Sequence, residues 1–113
     1  MNKIKEYTND LLERIKHIDE QGIEYWEARE LQKVLEYKEW RNFNKVLDKA
    51  KTACLLSNIN ENEQFVEFNK LIKGGNGNIQ YAKDYKLTRY ACYLIVQNGD
   101  PFKEKLPFLV KFL

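Results

Sequence analysis

Apolar residues recur along much of the chain at the three- and four-residue spacing of a helix face. Ile4, Tyr7, Leu11, Leu12 and Ile15 line one side of residues 3–16, while Lys5, Glu6, Asn9, Asp10 and Glu13 fall elsewhere, which predicts an amphipathic helix. Ala28, Leu31, Val34 and Leu35 predict a second helix over about 27–37. Trp40, Phe43, Leu47, Ala50 and Cys54, with Val46 at the edge of their stripe, predict a third over about 39–57. The opposite face of that third helix carries Lys38, Arg41, Asn44, Lys45, Asp48 and Lys49. Neither of these two helices can bury its stripe alone, so they are expected to pack on each other and on their neighbours. A tight helix pair with a polar second member is a shape that enters a DNA groove. It is equally the plainest way to build a small helical core.

Between the first and second helices the pattern shortens. Asp19 and Gly22 suit the two ends of a tight turn, with β-branched and aromatic residues on both flanks, so residues 17–26 read as a β-hairpin. Asn58, Asn60 and Asn62 break the helical period and signal a polar loop. The run Phe65–Ile72 fits a strand through Val66, Phe68 and Ile72, and a helix through Phe65, Phe68 and Ile72. Gly74, Gly75, Asn76, Gly77 and Asn78 tip the balance, because residues tolerant of positive φ suit a turn between two strands. Ile79 to Lys86 is then the return strand. Residues 87–98 are rich in strand formers, but Thr88 is a good N-cap, Gly99 sits where a left-handed C-terminal residue belongs, and Pro101 follows. They read as a helix, apolar all round and therefore central. The fold class is α+β: two small antiparallel hairpins packed with about four helices. Trp26 and Trp40 are expected in the core, each costing about 3–5 kcal/mol on truncation to alanine.

The length, 113 residues, allows one domain. A hydrophobic fraction of 43% with 32% charged residues describes a globular chain. No apolar run approaches the roughly 20 residues of a membrane span, and the N-terminal stretch lacks the apolar core of a signal peptide. The expectation is a cytoplasmic protein with no membrane contact, its two cysteines, Cys54 and Cys92, reduced and buried. Net charge is only +2, but it is unevenly spread. Residues 18–36 hold six acids against two bases, residues 38–51 five bases against two acids, and residues 70–89 five bases against one acid. If the two basic stretches share a surface they attract phosphates; on opposite sides they are merely solvated faces.

Catalytic chemistry is missing from the pattern. The lone histidine, His17, cannot supply a zinc site with cysteines that lack C-x-x-C spacing, and it reads as a surface or packing residue. The glycine-rich turn has neither the spacing nor the Lys-Ser/Thr of a P-loop. The reading is a non-enzymatic protein with no metal and no cofactor.

Three segments, IKHIDEQGIEYWEARELQKVLEY, WRNFNKVLDKAKTAC and above all DYKLTRYACYLIVQNGDP, resemble the N-terminal half of the bacterial DNA-damage-inducible protein D family. That family is similar to the Bro-N and phage antirepressor type of domain. The resemblance implies a bacterial or phage-derived, non-enzymatic protein of the SOS response whose partner is DNA. It implies, alternatively, an interaction module acting on the RecA recombinase or a repressor without touching DNA. Residues 1–105 would form the domain, and residues 106–113 an apolar tail where the family's second half is missing. The family commonly reads Leu-Gly-Tyr where this chain has Leu35-Glu36-Tyr37. The candidate DNA contacts are Lys38, Arg41, Asn44, Lys45 and Lys49, with Lys83, Lys86 and Arg89 holding flanking phosphates. In the tail, Leu106, Phe108, Leu109, Val110, Phe112 and Leu113 are the candidate interface of a homodimer.

Overall fold

The computed structural model describes residues 3–99, with side chains from residue 6 onward. In chain order the elements are α1 (Lys3–Ile15), β1 (His17–Ile18), β2 (Glu24–Glu27), α2 (Ala28–Val34), α3 (Trp40–Leu56), α4 (Glu61–Gln64), β3 (Phe65–Lys73), β4 (Ile79–Leu87) and α5 (Arg89–Asn98). The α+β expectation holds, and the ambiguous Phe65–Ile72 run is a strand. The two hairpins are not separate, however. They join into one antiparallel sheet of order β1-β2-β4-β3, because β2 pairs with β4 through Trp26↔Leu87 and Glu27↔Lys86.

Each hairpin closes by local chemistry. The Asp19 carboxylate accepts from the amides of Gln21 (2.8 Å) and Ile23 (2.9 Å), and Gly22 takes the positive φ of +81° that a side chain would strain. At the far turn Gly77 does the same at +89°, and the Asn76 side chain accepts from the Asn78 amide. Between its turn and its base the β3–β4 ribbon keeps unbroken register from Lys73↔Ile79 to Phe65↔Leu87.

Only the base of the ribbon is buried. Phe65, Tyr85 and Leu87 join Trp26 in a core with Leu12, Leu31, Phe43, Leu47, Cys92 and Ile95. The Trp26 indole N–H, with no access to water, donates to the Leu12 carbonyl at 2.8 Å, which ties β2 to α1. Further out the ribbon leaves Leu71, Ile79 and Tyr81 exposed. α5 begins as expected, the Thr88 hydroxyl accepting from the Ala91 amide.

Three expectations need correction. Gly99 is extended, at φ −84° and ψ 177°, so the helix does not end on a left-handed glycine. Its last turn is closed by the Gly99 amide donating to the Val96 carbonyl and by the Asn98 side-chain amide donating to the Leu94 carbonyl. The polar loop after α3 contains a short helix, α4, capped by the Asn60 side chain. Trp40 is only half-buried: it packs against Phe43, and the Arg29 guanidinium lies over the ring at 4.2 Å from its centroid. The family's usual glycine before the joint is also explained. Glu36 stands at φ +63°, a conformation that glycine adopts without strain.

Candidate nucleic-acid interface

The β2–β4 ladder stops at Lys86, and α2 takes over the edge of β4 beyond it. Arg29 makes the join. Its backbone amide donates to Asp84 Oδ1 at 3.0 Å, its Nε donates to the Lys83 carbonyl at 2.8 Å, and its guanidinium lies on Trp40. One side chain therefore fixes α2, β4 and the start of α3. Between this knot and the outer half of β3 lies a cleft of about 390 Å³, lined by Arg29, Lys33, Lys38, Lys70 and Lys73 with Trp40, Ile72, Gln32 and Glu30. Five cations thus face a single acid.

The cations differ in their commitments. Lys70 pairs with Glu27 and stands 4.0 Å from Asp84 Oδ2. Burial is the largest influence and works against its charge, but the Glu27 hydrogen bond together with the negative charges of Glu27, Glu30 and Asp84 lifts the Lys70 pKa above the ordinary lysine range. Lys33, Lys38 and Lys73 form no ion pair among the described residues. A second meeting of the basic stretches occurs over Tyr85. Lys51 of α3 donates to the Tyr85 hydroxyl at 3.0 Å, and Lys83 of β4 stands 5.6 Å from the same ring.

The residues proposed from sequence are divided by this arrangement. Lys38 enters the cleft. Arg41 and Lys45 are exposed on α3, Arg41 loosely paired with Glu39 at 3.6 Å, and Asn44 is half-buried. Lys49 borders a shallow groove with Leu56 and Asn98 instead. Lys83 and Lys86 are three residues apart on a strand and so point to opposite faces. Lys83 leans on Tyr85, whereas Lys86 lies over Tyr25 and Phe68, beside the acidic turn of Asp19 and Glu20. Arg89 turns inward. It grips both Glu24 oxygens at 2.9 Å, bonds Asn9 at 2.8 Å and Glu13 at 3.2 Å, and covers Trp26. These bonds, set against partial burial, raise its pKa further and leave it a structural cation rather than a phosphate clamp. The apolar tail residues Leu106 to Leu113 lie outside the described residues.

Sequence reasoning overlooked Arg29 and Lys33, which sit inside the acidic stretch, and placed Trp40 in the core. The signal was available: Arg29 and Lys33 are four apart and so share a helix face, although Glu30 of the same helix lines the cleft with them.

Other chemistry is weaker. His17, Glu27 and Glu30 bring three potential ligand atoms within 4.8 Å of one another. Each is already served from within: His17 bonds Glu30 at 2.6 Å while stacking on Tyr25, and Glu27 holds the Lys70 ammonium. Both cysteines are free and buried, and burial pushes both thiols up, Cys92 furthest. No helix among the described residues is long and apolar enough to cross a membrane.

The chain is 47% identical over 91 residues to DNA damage-inducible protein D of Escherichia coli strain K12. The match covers 80% of this chain and 33% of that protein, so the chain spans about a third of its relative's length. No solved structure matches. The profile of the BRO family, N-terminal domain, matches residues 14–107, which takes in the joint, the cleft and the ribbon. The chain therefore belongs to the BRO family through its N-terminal domain.

Proposed function

We propose that this is a non-enzymatic DNA-binding domain with a regulatory role in the response to DNA damage. The observation that carries the reading is the convergence of the two basic stretches. Lys38 meets Lys70 and Lys73 across the cleft, and Lys51 meets Lys83 across Tyr85. Even with Lys70 paired to Glu27 and Lys83 to Glu67, such clustering concentrates positive charge in a way that a net charge of +2 does not reveal. Exposed Arg41 and Lys45 on the first turns of α3 extend it. The DNA-damage context comes from the relative, whose name describes it as damage-inducible.

Mobility-shift titration of duplex and single-stranded DNA at two salt concentrations tests the reading. Each phosphate contact removed should flatten the slope of log K against log salt by about 0.9 on duplex DNA. The joint alanine variant of Arg41, Lys45 and Lys49 should bind less tightly on every sequence. If it stays folded and binds as well as the parent, the α3 surface is not the contact.

A second reading has its own support. Leu71 and Tyr81 are directly opposed on the ribbon and exposed by 52% and 74%, with Ile79 beside them at 68%. Paired apolar side chains on an uncovered sheet face suit a protein partner, such as a recombinase or repressor, engaged without DNA.

A further inference from the structure

We propose that the cleft between α2, the start of α3 and β3 takes a single nucleotide unit. Its phosphate would rest on Lys33, Lys38 and Lys73, and its base against Trp40 and Ile72. The inference rests on the DNA-binding reading and names the chemistry of one subsite within it.

Sign, shape and size each narrow the ligand. The cleft presents Arg29, Lys33, Lys38, Lys70 and Lys73, so it selects an anion. Two of these are occupied, the Arg29 guanidinium by the Lys83 carbonyl and Trp40 and Lys70 by Glu27, which leaves three ammonium groups for a ligand. The one acid in the wall, Glu30, is held by His17 at 2.6 Å. A bare phosphate would leave the apolar part of the wall unused, because Trp40 and Ile72 are both half-exposed there. A flat, weakly polar ring joined to a phosphate satisfies both halves. The Arg29 guanidinium, already stacked on Trp40, fixes the indole before any ligand arrives. A volume of about 390 Å³ lies at the small end of ligand pockets and admits one nucleotide but no duplex.

The two tryptophans supply the test. Trp26 has no exposed surface and Trp40 is half-exposed, so ligand-dependent quenching reports Trp40. The full chain is titrated with short oligothymidylate, with thymidine monophosphate and with inorganic phosphate, while mobility shift on duplex and single-stranded DNA runs in parallel. Saturable quenching by the oligonucleotide or the mononucleotide is expected, with phosphate acting only as a weak competitor. Lys38→Ala with Lys73→Ala should weaken the quenching titration by about tenfold or more, whereas Lys16→Ala, just beyond α1 and paired with Glu13, should leave it within about threefold. Trp40→Phe should abolish the signal yet retain binding by competition, which separates stacking from loss of fold. DNA binding without quenching would overturn the cleft and spare the DNA-binding reading. Quenching by the mononucleotide with no DNA shift of any kind would support the cleft, identify a free nucleotide as its ligand and remove the DNA-binding reading. Silence in both assays would remove both.

Discussion

Asp84 carries a carboxylate into the interior with only one of its oxygens served. Oδ1 accepts from the amides of Arg29 and Tyr85, at 3.0 and 2.7 Å, while Oδ2 has no hydrogen-bond partner among the described residues. Burial raises its pKa above the ordinary 3.8, and the two amides and Lys70 only partly resist. The sign follows from proton counts. Between the unfolded and the raised folded pKa the native state holds the proton that the unfolded chain has released, so stability falls as pH rises through that window. Asp84→Asn keeps an acceptor for both amides and removes the buried charge. It should match or exceed the parent in stability at neutral pH and flatten this part of the pH profile. Asp84→Ala strands both amides and should cost about 2–3 kcal/mol. Urea titrations of the three proteins across pH compare them. Glu36→Gly should act in the other direction. Releasing the φ of +63° is expected to add about 1 kcal/mol, visible as a rise of a few degrees in Tm. The resemblance to a family that commonly has glycine there singled out this position, though not its backbone conformation. Asp84 gave no such hint: along the chain it is one acid between lysines, and only tertiary placement turns it inward.

At the level of elements, local signals were read more faithfully than pairings. The Asp19–Gly22 turn, the Gly77 turn and the Thr88 cap are decided by residues a few positions apart, and each formed where its chemistry pointed. The β2–β4 seam and the Arg29 knot join residues about 55–60 positions apart, so no window of sequence displays them. That distance is also why Arg89, basic and at the start of a helix, was read as a phosphate contact. Its ties to Glu24, Asn9 and Glu13 fasten α5 to α1 and β2. Arg89→Met should therefore cost about 2 kcal/mol of stability with no direct effect on DNA affinity. The same link shapes acid unfolding. Arg89 lowers the Glu24 pKa below 4.5 through its hydrogen bonds. Glu24 thus contributes stability above the unfolded pKa, and that contribution is lost as pH falls through the lowered folded value. The variant should lack this part of the acid transition, which circular dichroism against pH would reveal.

For the whole molecule, hydrophobic periodicity predicted a single α+β unit, yet it could not say on which surface the basic stretches would meet. They meet because α2 succeeds β2 along the edge of β4 and brings the start of α3 with it. The buried thiols give a direct check on how completely this body closes. Cys92, with no exposed surface and its pKa raised by burial, should react with a thiol reagent only as fast as the protein opens. A second consequence belongs to the short seam between the hairpins. Each hairpin is a local structure that closes on a microsecond scale. Two residue pairs, Trp26↔Leu87 and Glu27↔Lys86, are all that unite them into one sheet. Their docking must meet the loop-closure entropy of the long intervening segment before the shared core repays it. The seam should therefore sit in the rate-limiting nucleus. Leu87→Ala is expected to slow refolding, with a φ-value near 0.5–0.8, whereas Ile72→Ala, out on the ribbon, should chiefly accelerate unfolding. Stopped-flow chevrons would distinguish the two, and a Leu87→Ala effect confined to the unfolding limb would mean that the sheet is assembled after the barrier has been crossed.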